Sequence, residues 1–363
     1  MKKIIAYSVL ILSATILIIC AVDHFTKTIS NLRKTPEAFN SWWGSDRYEY
    51  GDLYGFTYLP QFRLAEPAGS DDIVPKWPCS IRSKSFNIYG LSDSYTFNVF
   101  KTPVSFCGAD KIGFAASNFK DVLPFTMDHS KKNYLIIETV ERNARALFAD
   151  SAYLVRFIQP VNGNQPATDL NTAENRKKFR FNFNINRHEG NYEFNLWDYR
   201  LFTPLKEWKA KVNYEFFGRI NPDAVVSPDG KFLLLHTTID TAFKESSYKP
   251  IEDKEVQQIV ANLNNAYAHY KQAGFDEIYL SIIPNPTTIL YPRYHQFTYN
   301  NLITKVQKHP ELKLRVFDCY GLFKSYVNKE ELYRQSDTHW TSVGRDLWLK
   351  TFNKLLAKDI GRG

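Results

Sequence analysis

The stretch DKEVQQIVANLNNAYAHYKQAGFDEIYLSII, residues 253–283, constrains the fold most strongly. Val256, Ile259, Val260, Leu263, Tyr267 and Tyr270 recur at helical spacing, which predicts a helix over 253–273 with one apolar face. Gly274 stands where such a helix stops. EIYLSII (277–283) follows at once, a short apolar run of the kind that lies buried on both faces of a parallel sheet. Similar runs occur at 85–91 (SFNIYGL), 133–139 (NYLIIET) and 314–319 (LRVFDC). Two more helices are expected. One covers roughly 298–308, with Leu302, Ile303 and Val306 on a face. The other starts near Ser342, capped by Thr341 or Ser342, with Val343, Leu347, Phe352 and Leu355 as its stripe. Apolar strands alternating with amphipathic helices predict an α/β domain with a mainly parallel sheet.

Residues 4–22 carry no charge, follow Lys2 and Lys3, and stop at Asp23. At helical rise such a run spans roughly 28 Å, the depth of a bilayer core. Two readings are open, an uncleaved anchor and a cleaved signal peptide. The anchor is preferred, because Ile19 stands two before Ala21 where a cleavage site wants a small residue. The same Ile19 argues against lipidation of Cys20. Lys2 and Lys3 keep the N-terminus in the cytoplasm. The chain is therefore expected to be single-pass in the cytoplasmic membrane, with its C-terminal domain in the periplasm or other extracytoplasmic space.

This divides the chain into 1–22, the anchor or signal; 23–80, a stem and an aromatic-rich region; and 81–363, the α/β domain. SWWGSDRYEYGDLYGFTYLPQF (41–62) is crowded with rings, which read first as packing and second as a surface for stacking on sugars. Residues 66–80 hold three prolines and read as a loop. Residues 150–250 break the strand–helix rhythm. FRFNFNIN (179–186) alternates polar and apolar, and VVSPDGKFLLL (225–235) reads as a hairpin about Pro228-Asp229-Gly230. The expectation is an inserted or peripheral region containing antiparallel strands.

The net charge of +8 is spread along the chain instead of forming a basic block, which argues against nucleic acid and favours acidic glycans or lipid headgroups as partners. Three cysteines lie beyond the apolar run: Cys79, Cys107 and Cys319. A disulfide is permitted in an exported chain, Cys79 and Cys107 being closest in sequence; three buried thiols is the equal alternative. No Cys-x-x-Cys or His-rich cluster points to a metal, and no cofactor is expected.

Two short motifs carry chemistry. SDTHWTSVG (336–344) places Asp337 two residues before His339, the spacing at which a carboxylate on a bent loop can hold an imidazole in one tautomer. GLSDSYTF (90–97) follows a strand directly and offers Ser94 at the carboxyl edge of the sheet, where active groups gather. A serine hydroxyl needs a base to become a nucleophile. His339 would take the Ser94 proton, and Asp337 would stabilise the imidazolium. Trp340 is expected to pack the loop down, and Gly344 to let the last helix approach closely. Taken singly, Ser-Asp-Ser is a common turn and Asp-x-His a common surface pair; together, at strand ends, they point to catalysis.

Ser92-Asp93-Ser94 stands where SGNH hydrolases carry Gly-Asp-Ser, and Asp337-Thr338-His339-Trp340 resembles the Asp-x-His-Trp of SGNH-like proteins related to alginate O-acetyltransferases. NYLIIETVERN (133–143), IYLSIIPNP (278–286) and LYRQSDTHWTSVG (332–344) are similar to segments of the same group. The resemblance covers most of residues 80–363, loosely over 150–250. It implies a flavodoxin-like three-layer α/β/α domain with a Ser-His-Asp site, transferring or removing acetyl groups on extracytoplasmic polysaccharides. It also implies a membrane-bound O-acyltransferase as supplier of the acyl group. Two departures stand out: the serine precedes Asp-x-His in the chain, and Ser92 replaces a glycine that eases the turn. Oxyanion or support candidates are the Ser94 N–H, Asp93, Arg142 and Asn285. Glu138, Glu141 and Arg142 read equally well as a structural ion-pair cluster.

Three functions follow. The first is a serine-dependent O-acyltransferase or esterase acting on a cell-envelope or exported polysaccharide through an acyl-Ser94 intermediate. The second is a non-catalytic glycan-binding or scaffolding component of a modification or export complex, motivated by Ser92 and the rings of 41–62. The third keeps the chemistry but acts on a lipid, or passes D-alanyl groups to a teichoic acid. The first is preferred, since a binding module has no need of Ser94, Asp337 and His339 together.

Overall fold

Five parallel strands make the central sheet: β1 (Phe86–Ser92), β2 (Ala109–Ala116), β3 (Lys132–Val140), β4 (Glu277–Ile283) and β5 (Arg315–Val316). They lie in the order β5-β4-β3-β1-β2. The computed structural model describes residues 2–33, 41–67, 86–97, 105–117, 123–125, 127–160 and 188–360. β1 has β2 on one side and β3 on the other, so the winding reverses between β1 and β3. The carboxyl ends of these two strands flank the switch point where open α/β sheets place their ligands.

Successive side chains of a strand face opposite ways, and each face here has its own helix. Ile88, Tyr134, Ile136 and Tyr279 pack with Trp348, Phe352 and Leu356 of the C-terminal helix Ser342–Ile360. Leu91, Leu135, Ile137, Leu280 and Ile282 pack with Val256, Ile259, Leu263 and Tyr270 of the helix Asp253–Gln272. The result is three layers, helix on sheet on helix. The latter helix ends as expected at Gly274, whose φ of +98° is a conformation glycine adopts at little cost.

Three of the four expected strands appear within a residue of their expected bounds. The fourth, 314–319, is only Arg315–Val316, because the Asp318 side chain accepts from the Gly321 N–H and caps a helix from Cys319 to Lys324. The helix expected over 298–308 is shorter, Leu302–Gln307. β2 escaped the sequence reading because ADKIGFAA mixes Lys and Gly into the run. The hairpin about Pro228-Asp229-Gly230 is present, Ala224–Val226 pairing antiparallel with Leu233–Leu235.

The chain divides into two compact units, one of Met1–Gly69 with Asp169–Asn221, the other of Ser70–Thr168 with Pro222–Gly363. The stretch 150–250 expected as one insertion thus divides twice: its first part, to Thr168, and its last part, from Pro222 and with the hairpin, belong to the α/β unit, and Asp169–Asn221 belongs to the other. The expected strand at 179–186 lies outside the described residues. Where 188–217 is described it is helical: His188–Leu196, then Thr203–Phe217, which has Pro at its start and Gly218 at φ +60° as its stop.

The smaller unit is held by polar contacts around buried acids. Asp46 accepts from Arg200 at 2.6 Å and Arg63 at 3.3 Å. Asp198 gathers Ser45, Tyr58 and Lys206 at 2.8, 2.9 and 3.2 Å. Most of the aromatic-rich segment is packing, with Tyr54, Tyr58 and Phe62 buried, though Trp42 and Tyr48 stay exposed. The N-terminal helix Lys2–Ala21 is long and apolar enough to cross a membrane, and most of its side chains are exposed, with Cys20 and Ala21 buried at its last turn. Cys107 is disulfide-bonded, Cys20 and Cys319 are free thiols, and Cys79 lies outside the described residues.

Candidate active site

β1 delivers the chain to Ser92, and a tight turn follows. The Thr96 and Phe97 N–H groups both donate to the Asp93 carbonyl, at 3.3 and 2.9 Å. The Asp93 side chain braces the turn from both ends. One oxygen accepts from the Tyr95 N–H at 3.0 Å, and the other from the Val140 N–H at the end of β3 at 2.6 Å. Glu138, also on β3, accepts from the Asp93 N–H at 3.4 Å and the Thr96 hydroxyl at 2.5 Å. Two carboxyl groups thus fix the backbone on either side of Ser94, which is itself half-buried. Ser92, in place of the glycine of the resembled motif, is an ordinary strand residue: its φ is not positive, and its carbonyl accepts from the Ser117 N–H at 2.7 Å.

The second motif lies on a clip before the C-terminal helix. Tyr333 and Trp340 form an antiparallel bridge, the Thr341 N–H donates to the Leu332 carbonyl at 3.0 Å, and the Tyr333 hydroxyl donates to the Pro284 carbonyl at 2.8 Å. Trp340 is buried, as expected. Gly344 lets the helix sit against this clip, since a Cβ there would lie 2.6 Å from the Leu332 carbonyl oxygen.

The clip presents Asp337 and His339 to Ser94. One Asp337 oxygen accepts from the His339 backbone N–H at 2.8 Å and lies 2.7 Å from its Nδ1. His339 Nε2 lies 2.8 Å from Ser94 Oγ. A carboxylate beside Nδ1 assigns the proton to that nitrogen and leaves Nε2 as acceptor for the serine hydroxyl. The imidazole side chain is 31% exposed while Asp337 is 6%, so the base faces solvent and its orienting group does not. Ser94 and the Asp337–His339 pair, 243 or more positions apart in the chain, form one line.

Tyr95 joins the two motifs, and sequence reading passed over it. Its hydroxyl donates to the Thr338 carbonyl. Its ring lies 4.9 Å from that of His339 and 5.2 Å from that of Trp340. Burial pushes its phenol upward, so it stays a donor. The available signal was an aromatic directly after the serine.

The remaining candidates separate. Arg142 stands beside the line, 3.5 Å from the Thr338 hydroxyl and with its guanidinium 5.7 Å from the Tyr95 ring centre. Asn285 makes no hydrogen bond to the three residues. It is wholly buried, donating from its amide to Ser247 Oγ and from its N–H to Glu141, both at 3.1 Å. Asn143, not singled out from sequence, reaches to 3.5 Å from the Asp93 carboxylate.

Glu138 and Glu141 are not an ion-pair cluster with Arg142. Among the described residues neither carboxyl pairs with a cation, so burial decides their state. Burial, and then the charge of Asp93, hold Glu138 well above the carboxylate range. Burial raises Glu141 to about 7 against hydrogen bonds from Thr288 and the Asn285 N–H that pull the other way. Such an arrangement can do nucleophilic chemistry at Ser94 while the neighbouring buried carboxyls, whose protons are held more tightly than usual, brace the turn and the end of β3.

Comparison with family models, with curated proteins and with solved structures yields no match to the chain. Its reading therefore rests on the site's own geometry.

Proposed function

We propose that the protein is a serine-dependent O-acyltransferase or esterase acting on a cell-envelope or exported polysaccharide, with acetyl as the group moved. The single observation that carries this is the continuous line from Ser94 Oγ to His339 Nε2 at 2.8 Å and from His339 Nδ1 to Asp337 at 2.7 Å. The sheet order supports an SGNH-like domain, since β2-β1-β3-β4-β5 is the flavodoxin-like order and Ser94 follows β1 at its switch point. The apolar helix Lys2–Ala21 supports an anchor, and placing the catalytic unit on the extracytoplasmic side rests on the charges of Lys2 and Lys3.

In the first half-reaction Ser94 Oγ attacks the acyl carbonyl carbon, and its proton passes to His339 Nε2. Asp337 stabilises the imidazolium. The tetrahedral intermediate collapses to acyl-Ser94, and the leaving group takes the proton from His339. In the second half a sugar hydroxyl, or water, gives its proton to His339 and attacks the same carbonyl, restoring the Ser94 hydroxyl. The Ser94 N–H and the Arg142 guanidinium are the donors for the oxyanion, and losing one such donor costs about 3 kcal/mol of transition-state stabilisation. Asn285, sealed in the interior, serves the scaffold instead. The acyl donor is supplied by a membrane-bound partner.

The test is intact-mass measurement of the full chain in detergent after brief exposure to p-nitrophenyl acetate, beside Ser94→Ala and His339→Ala. One acetyl group on the wild type, trapped or turned over and missing from Ser94→Ala, is the expected result. Absence of adduct and turnover in every form would favour the alternative, a non-catalytic glycan-binding or scaffolding subunit.

A further inference from the structure

The helix Thr203–Phe217 carries a stripe that nothing within its own unit covers. Leu205, Trp208 and Phe216 recur at helical spacing on one side, extended backwards by Leu201. Trp208 is 65% exposed and Phe216 77%, while the opposite side is tied down by the ion pairs of Lys206 with Asp198 and of Glu207 with Arg63. Bare aromatic and leucine side chains in a row mark a surface that is covered in use.

What covers it is indicated by charge and by continuity. A cleft of about 670 Å³ opens beside the stripe, and Trp197, Leu205, Lys206, Lys209 and Arg219 share its wall. Among the described residues Lys209 and Arg219 have no acidic partner. Aromatic rings and leucines edged by unpaired cations suit an anionic bilayer surface, rings at headgroup depth and cations on the phosphates. The same unit holds the apolar helix Lys2–Ala21. The last turn of that helix is buried in the unit, where the Asn195 side chain reaches back to Thr26 at 3.1 Å and Arg33 stacks on Phe194 and Tyr199 at 4.4 and 4.1 Å. The helix bearing the stripe starts seven positions after Leu196.

We propose that Thr203–Phe217 lies in the membrane interface as an in-plane helix, seating Leu205, Trp208 and Phe216 among the acyl chains of an anionic leaflet. The proposal rests on the reading of Lys2–Ala21 as a membrane anchor. It gives the protein a second membrane contact, which removes the freedom that a single anchor leaves.

Lys2–Ala21 contains no tryptophan, so tryptophan quenching reports only on the rest of the chain. The full chain is reconstituted in phosphatidylcholine–phosphatidylglycerol vesicles, with and without lipid brominated near the headgroup end of its acyl chains. Quenching by brominated lipid is expected, and the double variant Trp197→Phe, Trp208→Phe is expected to lose most of it. Lys209→Glu with Arg219→Glu is expected to weaken it only when phosphatidylglycerol is present. Alkaline extraction separates the two ideas. Protein that stays in the membrane but shows no quenching, or unchanged quenching in the double variant, overturns the in-plane helix alone. Release with quenching retained overturns the anchor and supports the surface contact; release without quenching overturns both.

Discussion

Carboxyl groups meet two different fates at the carboxyl edge of the sheet. Asp337, itself buried, stands on the clip beside a half-exposed imidazole and takes hydrogen bonds from that residue's backbone and ring. Glu138 and Glu141 stand at the end of β3, wholly buried, and take theirs from hydroxyls and backbone N–H groups. The comparison teaches how a fold assigns work to one functional group. A carboxyl with an imidazole to face can orient and stabilise charge. Glu138 and Glu141, with no cation or imidazole to face, hold their protons more tightly through burial, against the donors around them, and serve as braces. The same edge therefore holds a chemical group and its scaffolding, told apart by partners and not by residue type.

The largest effect should come from Asp337. Asp337→Asn keeps the shape but offers an N–H where His339 Nδ1 needs an acceptor, favouring the wrong tautomer. Acyl transfer to a small acceptor is expected to fall by about 10⁴-fold, with the unfolding midpoint in urea nearly unchanged. A loss of only a few-fold in steady-state turnover would mean that Asp337 is a brace like the others, and the distinction drawn above would fail.

Glu138 should show the opposite signature. Its Oε2 serves two donors of the Ser94 turn, so Glu138→Ala leaves both unsatisfied and opens a cavity. A stability loss on the order of 4 kcal/mol is expected by urea unfolding. Glu138→Gln resembles the protonated carboxyl and should recover most of that loss, with activity close to wild type. If Glu138→Gln instead lost turnover without losing stability, Glu138 would belong to the chemistry.

Much of this is legible in the sequence itself. Uninterrupted apolar runs such as EIYLSII announce buried parallel strands, and an Asp-x-His beside a Trp announces a clip, because both signals are local. What was not readable depends on juxtaposition. Tyr95 matters through Thr338, far away in the chain, and Glu138 through a turn on the neighbouring strand. Asn285 has the residue type of an oxyanion donor, yet its surroundings turn it inward to Ser247 and Glu141. The helix Thr203–Phe217 was missed for another reason: its exposed rings blur the apolar period that marks a helix packed on its own core.

Glu141 sharpens the comparison through pH. Its folded-state proton is held to about pH 7, against an ordinary value of 4.5. Between those values the unfolded chain has released the proton and the folded one has not. Folding stability from this group is thus fully present below 4.5, falls as pH rises towards 7, and levels off above it. The loss is on the order of 3 kcal/mol. Glu141→Gln never ionises, so chemical denaturation at steps from pH 4 to pH 8 should show a flatter profile than wild type. A slope as steep as wild type would remove Glu141 from the set of protonated braces.

The smallest effect tests the departure from the resembled motif. The Ser92 hydroxyl is buried and, among the described residues, has no hydrogen-bond partner. A buried hydroxyl left unsatisfied costs about 1 kcal/mol or more, so Ser92→Ala should stabilise the fold by up to about that amount. Ser92→Gly removes the same hydroxyl but loosens a strand residue, at a cost of roughly 0.5–1 kcal/mol, and should come out near neutral. Neither change should alter acyl transfer by more than a few-fold, because the Ser94 turn is held by Asp93 and Glu138 and needs no special backbone at 92. A large gain of activity in Ser92→Gly would overturn that argument: the serine would then be a brake on the oxyanion side of the turn, and the edge would carry a regulatory difference that its hydrogen bonds do not reveal.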